Sequence, residues 1–291
     1  MMPALVRHLF PLAKPRIVLL VVFIAAAGTW KAAGGQPDPA TLLAVILAVA
    51  VAAAGSNLVN QGLEADIDAV MRRTRGRAVA SRQVSALAVI AVGLILVAAA
   101  VVALAVAENL LAGLFTLAAA VTYVLVYTVV LKRRSWNNIV IGGAAGAFPP
   151  LIGAAAVSGH IDALGLYMFA FVFFWTPPHF WTLSLLLRED YAAAKVPMLG
   201  AIASPRDTAI QIKLYILLLA ALTWLPLAAG YGGLTFPVVG TLLTGYWLRA
   251  SRSLGGGASP SQTLAAYKFS LLYLALTFLI LAIEPMLPWY A

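Results

Sequence analysis

Long, unbroken runs of apolar residues, each bounded by a short polar segment, dominate the chain. Nine of them approach the roughly 20 residues a helix needs to cross a bilayer. They are 17–33, 40–58, 84–106, 109–131, 138–157, 164–187, 210–230, 233–249 and 265–287. None shows the alternation of apolar and polar residues that barrel strands require. In lipid every backbone group must find its partner within the structure, so continuous apolar runs of this length are helices. The pattern predicts an all-α polytopic membrane protein with nine transmembrane helices.

Composition adds a boundary. The 291 residues are 63% hydrophobic and 10% charged, against roughly 25% charged in soluble domains. Such a chain has too little polar surface to be its own coat in water. The absence of cysteine removes disulfides, thiolate metal sites and cysteine nucleophiles. The segment before the first span is expected to stay in place rather than to be a cleaved leader.

Charge distribution then orients the chain. Arg7, Lys14 and Arg16 precede span one, and Arg72, Arg73, Arg75, Arg77 and Arg82 lie between spans two and three. Lys132, Arg133 and Arg134 follow span four. Arg188, Lys195, Arg206 and Lys213 flank the connection from six to seven, and Arg249, Arg252 and Lys268 that from eight to nine. Of 19 Lys and Arg, only Lys31 falls on the opposite side. Cations collect on the cytoplasmic side, so the N-terminus is expected inside and the C-terminus outside. The same reading makes the net charge of +9 an orientation signal, and no nucleic-acid partner is expected.

Outer connections such as Glu108-Asn109 and 158–162 are short; two inner ones, 59–83 and 188–209, are long. Long loops in compact proteins usually carry function. Each begins with an acidic cluster, four helices apart, which suggests a single domain over 1–291 with two related halves, about 1–131 and 132–249, and a final helix.

In the first cluster, Asn60, Glu64 and Asp68 step by four. If the helix continues, all three share one stripe and Asp66 points elsewhere. Oxygen donors on one stripe suit a hard divalent cation such as Mg²⁺, which takes one or two carboxylates and completes its shell with water and phosphate. The arginines that follow, Arg73 and Arg77 among them, suit phosphate. An alternative is a solvated loop whose acids pair with its own arginines. In the second cluster Asp190 is the better metal carboxylate, Glu189 is expected to pair with Arg188 or Lys195, and Pro197 to end or redirect the segment. Tyr127 through Lys132 and Arg133 is either a diphosphate clamp or a cytoplasmic anchor.

Span six contains Trp175-Thr-Pro-Pro-His179-Phe-Trp181. Two prolines at mid-span free backbone carbonyls and are expected to kink the helix, tolerable where it lines a cavity. His179 is a core histidine, a haem ligand or a substrate contact. His8 and His160 are expected at the surface. The glycines at 142, 143 and 146 are explained by close helix packing.

These segments together resemble the UbiA-type intramembrane prenyltransferases. The stripe ending in Met71-Arg-Arg73-Thr74 is similar to that superfamily's first aspartate-rich motif. Lys14-Pro15-Arg16, Tyr127-Thr128 with Leu131-Lys132-Arg133, Asn138 to Gly153, Trp175 to Trp181, and Asp190-Tyr191 with Val196-Pro197-Met198-Leu199 resemble its haem-farnesylating branch. The resemblance implies nine helices around a central cavity open to lipid, in a bacterial cytoplasmic (inner) membrane with the site toward the cytoplasm. It implies Mg²⁺-dependent transfer of farnesyl from farnesyl diphosphate to a vinyl group of haem b, with product passing to haem A synthase or oxidase assembly proteins. Mg²⁺ would fall to Asn60, Glu64, Asp68 and Asp190, and diphosphate to Arg73, Arg77, Lys132, Arg133 and Tyr127. Haem contacts would be His179, Trp175, Lys14 and Arg16, with Tyr191 and Asn138 accessory. The chain departs from the pattern in carrying Glu64 where aspartate is frequent, Ala194 where a second aspartate often stands, and Lys195 where a small residue is usual. Other readings are prenylation of an aromatic quinone precursor, and a transporter or haem carrier. A transporter would place acids at mid-span, whereas here every Asp and Glu lies outside a span or near its end.

Overall fold

A computed structural model describes residues 10–286; Arg7 and His8 lie outside them. The described residues are helical, without strands. In chain order the helices are α1 Pro15–Ala32, α2 Pro39–Leu63, the short α3 Ala65–Val70, α4 Ala86–Ala107 and α5 Leu110–Val121. A π-helix, Thr122–Leu131, continues α5. Then come α6 Asn138–Gly142, α7 Ala144–Ser158, α8 Ala163–Leu186, and the short α9 Arg188–Ala193 and α10 Leu199–Ile202. The last are α11 Pro205–Thr223, α12 Leu225–Ala228, α13 Thr235–Ala250 and α14 Pro260–Ile283.

Among the described residues, eight segments are long and apolar enough to cross a membrane. The predicted eighth span is α13, a helix of 16 residues, shorter than the roughly 20 that span without thinning the bilayer. Boundaries moved where polar residues form helical ends. α11 starts at Pro205, capped by Ser204, and α14 at Pro260 behind a Ser259–Gln262 capping box; both first turns are too polar to join an apolar run. α8 runs as one helix through Pro177 and Pro178.

The long helices form a ring in which α1, α2, α4, α5, α7, α8, α11, α13 and α14 each pack on the next, and α14 packs on α1. The two most extensive contacts across it are α1 on α7 and α14 on α8. Lipid is as apolar as leucine, so the helices associate through close packing rather than hydrophobic burial. At the α1–α7 crossing, a Cβ on Gly28 would lie 2.5 Å from the Pro150 carbonyl oxygen, and one on Gly153 2.5 Å from that of Ala25. Gly55 and Gly93 make the same reciprocal contact between α2 and α4. Gly142 lies against the Tyr127 ring and Gly143 against Thr176, while Gly146 faces open space, so only two of the three predicted packing glycines have that role. Large apolar side chains turn outward, Val106 to 80% exposure, as a lipid-facing surface requires.

Candidate functional site

The polar site grows from the C-terminal end of α2. The helix is launched by Asp38, whose carboxylate accepts from the Thr41 N–H, and by Pro39 at the first position. It outlasts its predicted apolar run by about one turn, and its end carries Asn57, Asn60, Gln61 and, at the cap, Glu64, all buried. The helix breaks at Glu64 and resumes as α3. The Glu64 N–H still donates to the Asn60 carbonyl (3.0 Å) and the Asp68 N–H to that of Glu64 (2.8 Å). The four-residue step survives, and Asn60, Glu64 and Asp68 are 2%, 3% and 4% exposed. Asp66 points out and is held by both guanidinium nitrogens of Arg133 at 2.7 Å. That fork holds the Asp66 carboxyl below its usual pKa range.

Each buried acid has its own cation. Lys132 Nζ lies 2.5 Å from Glu64 Oε2, and Arg77 Nη1 2.7 Å from Asp68 Oδ2. Lys14 Nζ donates to Asn60 Oδ1 (3.1 Å) and to the Tyr123 hydroxyl (3.3 Å). Lys14 has φ 55°, a left-handed backbone that costs a non-glycine residue about 1–2 kcal/mol, and the α1 start at Pro15 follows directly. Burial pushes its ammonium down to about 7, and Arg77 adds to the push. Three cations surround two carboxylates, a net positive pocket.

The π-helix supplies the facing wall. π-helix is rare and usually a single turn at functional sites; here it covers 10 residues. The Lys132 N–H bonds to the Tyr127 carbonyl five residues back. Tyr123 and Tyr127 stack at 5.9 Å between centroids. The Tyr123 hydroxyl donates to Asn57 Oδ1, Asn60 Nδ2 donates to Thr128 Oγ1, and Lys132 Nζ sits 5.6 Å from the Tyr127 ring centroid.

Asp190 arrives on α9, buried, with Arg72 Nε 3.0 Å from its Oδ1. Burial works to raise its pKa, but Arg72 and the backbone N–H groups of Arg72 and Arg73 overcome that and lower it. Arg72 also takes Glu189 at 2.7 Å, a correction to its expected pairing with Arg188 or Lys195. Tyr191 is buried with Ile67, Met71, Ile139 and Val196, and Tyr127 and Phe180 pack on that cluster. α9 ends in a Schellman motif: the Val196 N–H bonds to the Tyr191 carbonyl and the Lys195 N–H to that of Ala192, with Lys195 at φ 53° and Pro197 soon after. A small residue fits position 195 because glycine adopts that φ freely.

The remaining candidates divide. Asn138 is fully buried beside the site and its Nδ2 reaches the Lys132 carbonyl. Arg73 and Arg16 are exposed. Arg133 is committed to Asp66, and Lys14 lies among the carboxylates rather than apart from them. His160 is exposed. Trp175 and His179 lie on α8, stacked at 4.4 Å, linked to the acid site through Phe180 and Tyr191. Asn57, Arg72, Tyr123 and Thr128 join the site without a site role expected from the sequence. Polar side chains recurring at helical spacing from Asn60 and Tyr127 are the signal that marks Asn57 and Tyr123.

Among the described residues no three His, Cys, Asp or Glu converge on one point, since the lysine and arginines hold the acids individually. Yet Glu64 Oε1 is sealed from solvent without a hydrogen-bond partner, on the stripe that also carries Asn60 and Asp68. A buried unpaired carboxylate oxygen is costly, and a set made only of oxygens fits Mg²⁺.

The sequence pattern of the UbiA prenyltransferase family matches residues 20–274. The chain is 42% identical over 278 residues to "Protoheme IX farnesyltransferase" of Thermus thermophilus, covering 96% of this chain and 46% of that protein. It therefore spans about half the length of that relative. Over 279 residues it is 42% identical to the protein of the same name from Methylobacterium radiotolerans, covering 94% and 88% respectively. The fold matches a UbiA homolog from Archaeoglobus fulgidus bound to DMAPP and Mg²⁺, with TM-score 0.69, 15% identity, and coverage of 95% of this chain and 99% of that one. A multi-pass helical ring, an acid-and-cation site at one end of it and a sequence match across most of the chain have one common explanation: the chain belongs to the UbiA prenyltransferase family.

Proposed function

We propose that the chain transfers farnesyl from farnesyl diphosphate to a vinyl group of haem b at the cytoplasmic face of a bacterial inner membrane, giving haem O. The observation that carries the reading is the buried Asn60–Glu64–Asp68 stripe, ringed by Lys14, Arg77 and Lys132, with a carboxylate oxygen left unpaired. The relatives' names supply the acceptor, and the bias of Lys and Arg to one side supplies the orientation.

Asn60, Glu64 and Asp68, with Asp190 nearby, would hold Mg²⁺, which when bound supplies Lewis-acid neutralisation of the departing diphosphate. Lys14, Arg77 and Lys132 bind the diphosphate oxygens and stabilise the charge that builds as the allylic C–O bond breaks and the electron pair leaves with diphosphate. The Tyr123 and Tyr127 rings wall the site, keep water from the allylic cation and attract it through their π faces. The vinyl carbon of the acceptor then bonds to C1 of the farnesyl group. Water adds to the resulting cation and loses a proton, leaving a hydroxyl on the haem.

The test is incubation of purified chain with farnesyl diphosphate, Mg²⁺ and either haem b or a hydroxybenzoate, read by mass spectrometry. Haem carrying a hydroxyethylfarnesyl group is expected. Prenylated hydroxybenzoate with unchanged haem would overturn the reading.

A further inference from the structure

Lys14 enters the acid site from the segment that precedes α1. A helical turn ends at Leu12, and Pro15 opens α1. Had the helix run on, the Leu12 and Ala13 carbonyls would accept from the N–H groups four residues later, those of Arg16 and Ile17. The left-handed backbone of Lys14 breaks that pairing. The Lys14 N–H turns back to the Pro11 carbonyl at 3.2 Å, and the Ile17 N–H goes to the Lys14 carbonyl at 2.9 Å. The Leu12 and Ala13 carbonyls are thereby left without a backbone donor among the described residues. In a chain that spans a membrane an unmet carbonyl is costly.

α2 supplies both donors. Asn57 Nδ2 donates to the Ala13 carbonyl at 3.0 Å, and the Gln61 amide donates to the Leu12 carbonyl. Asn57 and Gln61 stand one turn apart on one stripe of α2, so two successive carbonyls of the segment lie along it. The Leu12 side chain is buried with Leu58, Val79 and Val89. Residues 11–14 are thus strapped across the end of α2. Asn57 acts twice, because its Oδ1 accepts from the Tyr123 hydroxyl at 3.3 Å, and the Tyr123 oxygen accepts from Lys14 Nζ at 3.3 Å. The loop of contacts from Ala13 through Asn57 and Tyr123 closes on Lys14, whose ammonium rests on Asn60 Oδ1 at 3.1 Å. The residue before a proline favours extended backbone, so the left-handed Lys14 is sustained by its surroundings. The two amides are the polar part of that hold.

We propose that Asn57 and Gln61 are positioning residues: they hold residues 11–14 on α2 and through them aim Lys14 at the donor diphosphate. The assignment rests on reading the acid site as a prenyl diphosphate site, and it holds for either acceptor. Neither amide is spare for the diphosphate, since each already donates to the strap. A lysine side chain has many rotamers to lose, and fixing its backbone on α2 limits where its ammonium can go. Without the strap the lysine keeps its charge and loses its aim.

The test uses the full chain in detergent with Mg²⁺. Calorimetry gives the Kd for farnesyl diphosphate of wild type, Asn57→Leu, Gln61→Met, Lys14→Met and each amide variant combined with Lys14→Met. Each amide variant is expected to weaken binding about tenfold, the equivalent of one lost hydrogen bond. On top of Lys14→Met the same substitution should change Kd by less than about twofold, because residues that act through one group are not additive. The chain has no cysteine, so Leu12→Cys introduces a single thiol that reports the strap without any ligand. Its alkylation should be at least about tenfold faster when Asn57→Leu or Gln61→Met is added, as expected when local opening is eased by one hydrogen bond. Amide variants that bind as tightly as wild type, that lose the full factor again on top of Lys14→Met, or that leave the Leu12→Cys thiol protected would overturn this inference alone. A wild-type chain that binds no farnesyl diphosphate would overturn the proposed function and this inference with it.

Discussion

The Lys132–Glu64 pair gives the sharpest test of the site. The two charges are 2.5 Å apart, and their side chains are 12% and 3% exposed. Replacing Lys132 by methionine removes the cation and leaves a carboxylate that already has one sealed, unpartnered oxygen. Stranding one member of a buried pair costs about 3–5 kcal/mol. Lys14 and Arg77 stand close enough to soften this, so about 3 kcal/mol is expected. In a chain of this size that lowers Tm by roughly 6–10 °C. Glu64→Leu should cost less, about 1–2 kcal/mol, because the lysine can extend its head toward water. The double variant should lie within about 1.5 kcal/mol of wild type, since an apolar pair of similar volume replaces a desolvated ion pair. The implied coupling is at least about 2 kcal/mol. Thermal unfolding of the four proteins in detergent with chelator measures it. Adding Mg²⁺ to the Lys132→Met protein should recover part of the loss by binding the freed carboxylate. Farnesyl transfer should be lost in all three variants, including the restabilised one. Additive stability losses, or a double variant that still transfers farnesyl, would refute the reasoning.

Three further outcomes follow from the same geometry. Burial lowers the Lys14 ammonium to about 7, and a bound anion favours its charged form. Above that pH, binding must take up a proton, so affinity for prenyl diphosphate should fall by up to about tenfold per pH unit. A calorimetric Kd series from about pH 6.5 to 8.5 should show this slope, and Lys14→Met should flatten it. Lys195→Gly should stabilise by about 1 kcal/mol, because it relieves a left-handed φ at the helix C-cap while adding some freedom to the unfolded chain; a lower Tm would contradict this. Gly153→Ala puts a methyl 2.5 Å from both the Ala25 carbonyl and Thr29 Oγ1. Separating α1 from α7 should cost about 1–3 kcal/mol, read as a lower Tm with the Lys132–Glu64 coupling unchanged.

Arg133 and Lys14 illustrate how far sequence reading reaches. Both read as basic residues beside motifs, one a diphosphate clamp and the other a haem contact. In the fold Arg133 is spent on Asp66 at the surface, whereas Lys14 turns through a left-handed residue into the acid site. Neither outcome is encoded locally, since each depends on which side chain another helix presents. The π-helix was equally hidden, because a ten-residue apolar run has the same composition in α and π form. What differs is the register of Tyr123, Thr128 and Lys132 against α2.

The sequence by itself determined the membrane-spanning helical class, the bias of cations to one side and the Asn60–Glu64–Asp68 stripe. These follow from hydrophobic length, charge and a helical period of about 3.6, all local along the chain. Tertiary structure decided the pairing. It assigned a cation to each acid, brought Asp190 to Arg72 from 118 residues away, and set Ser270 against His179 across 91 residues. Those contacts join elements far apart in the chain, so their partners are fixed only when the ring closes.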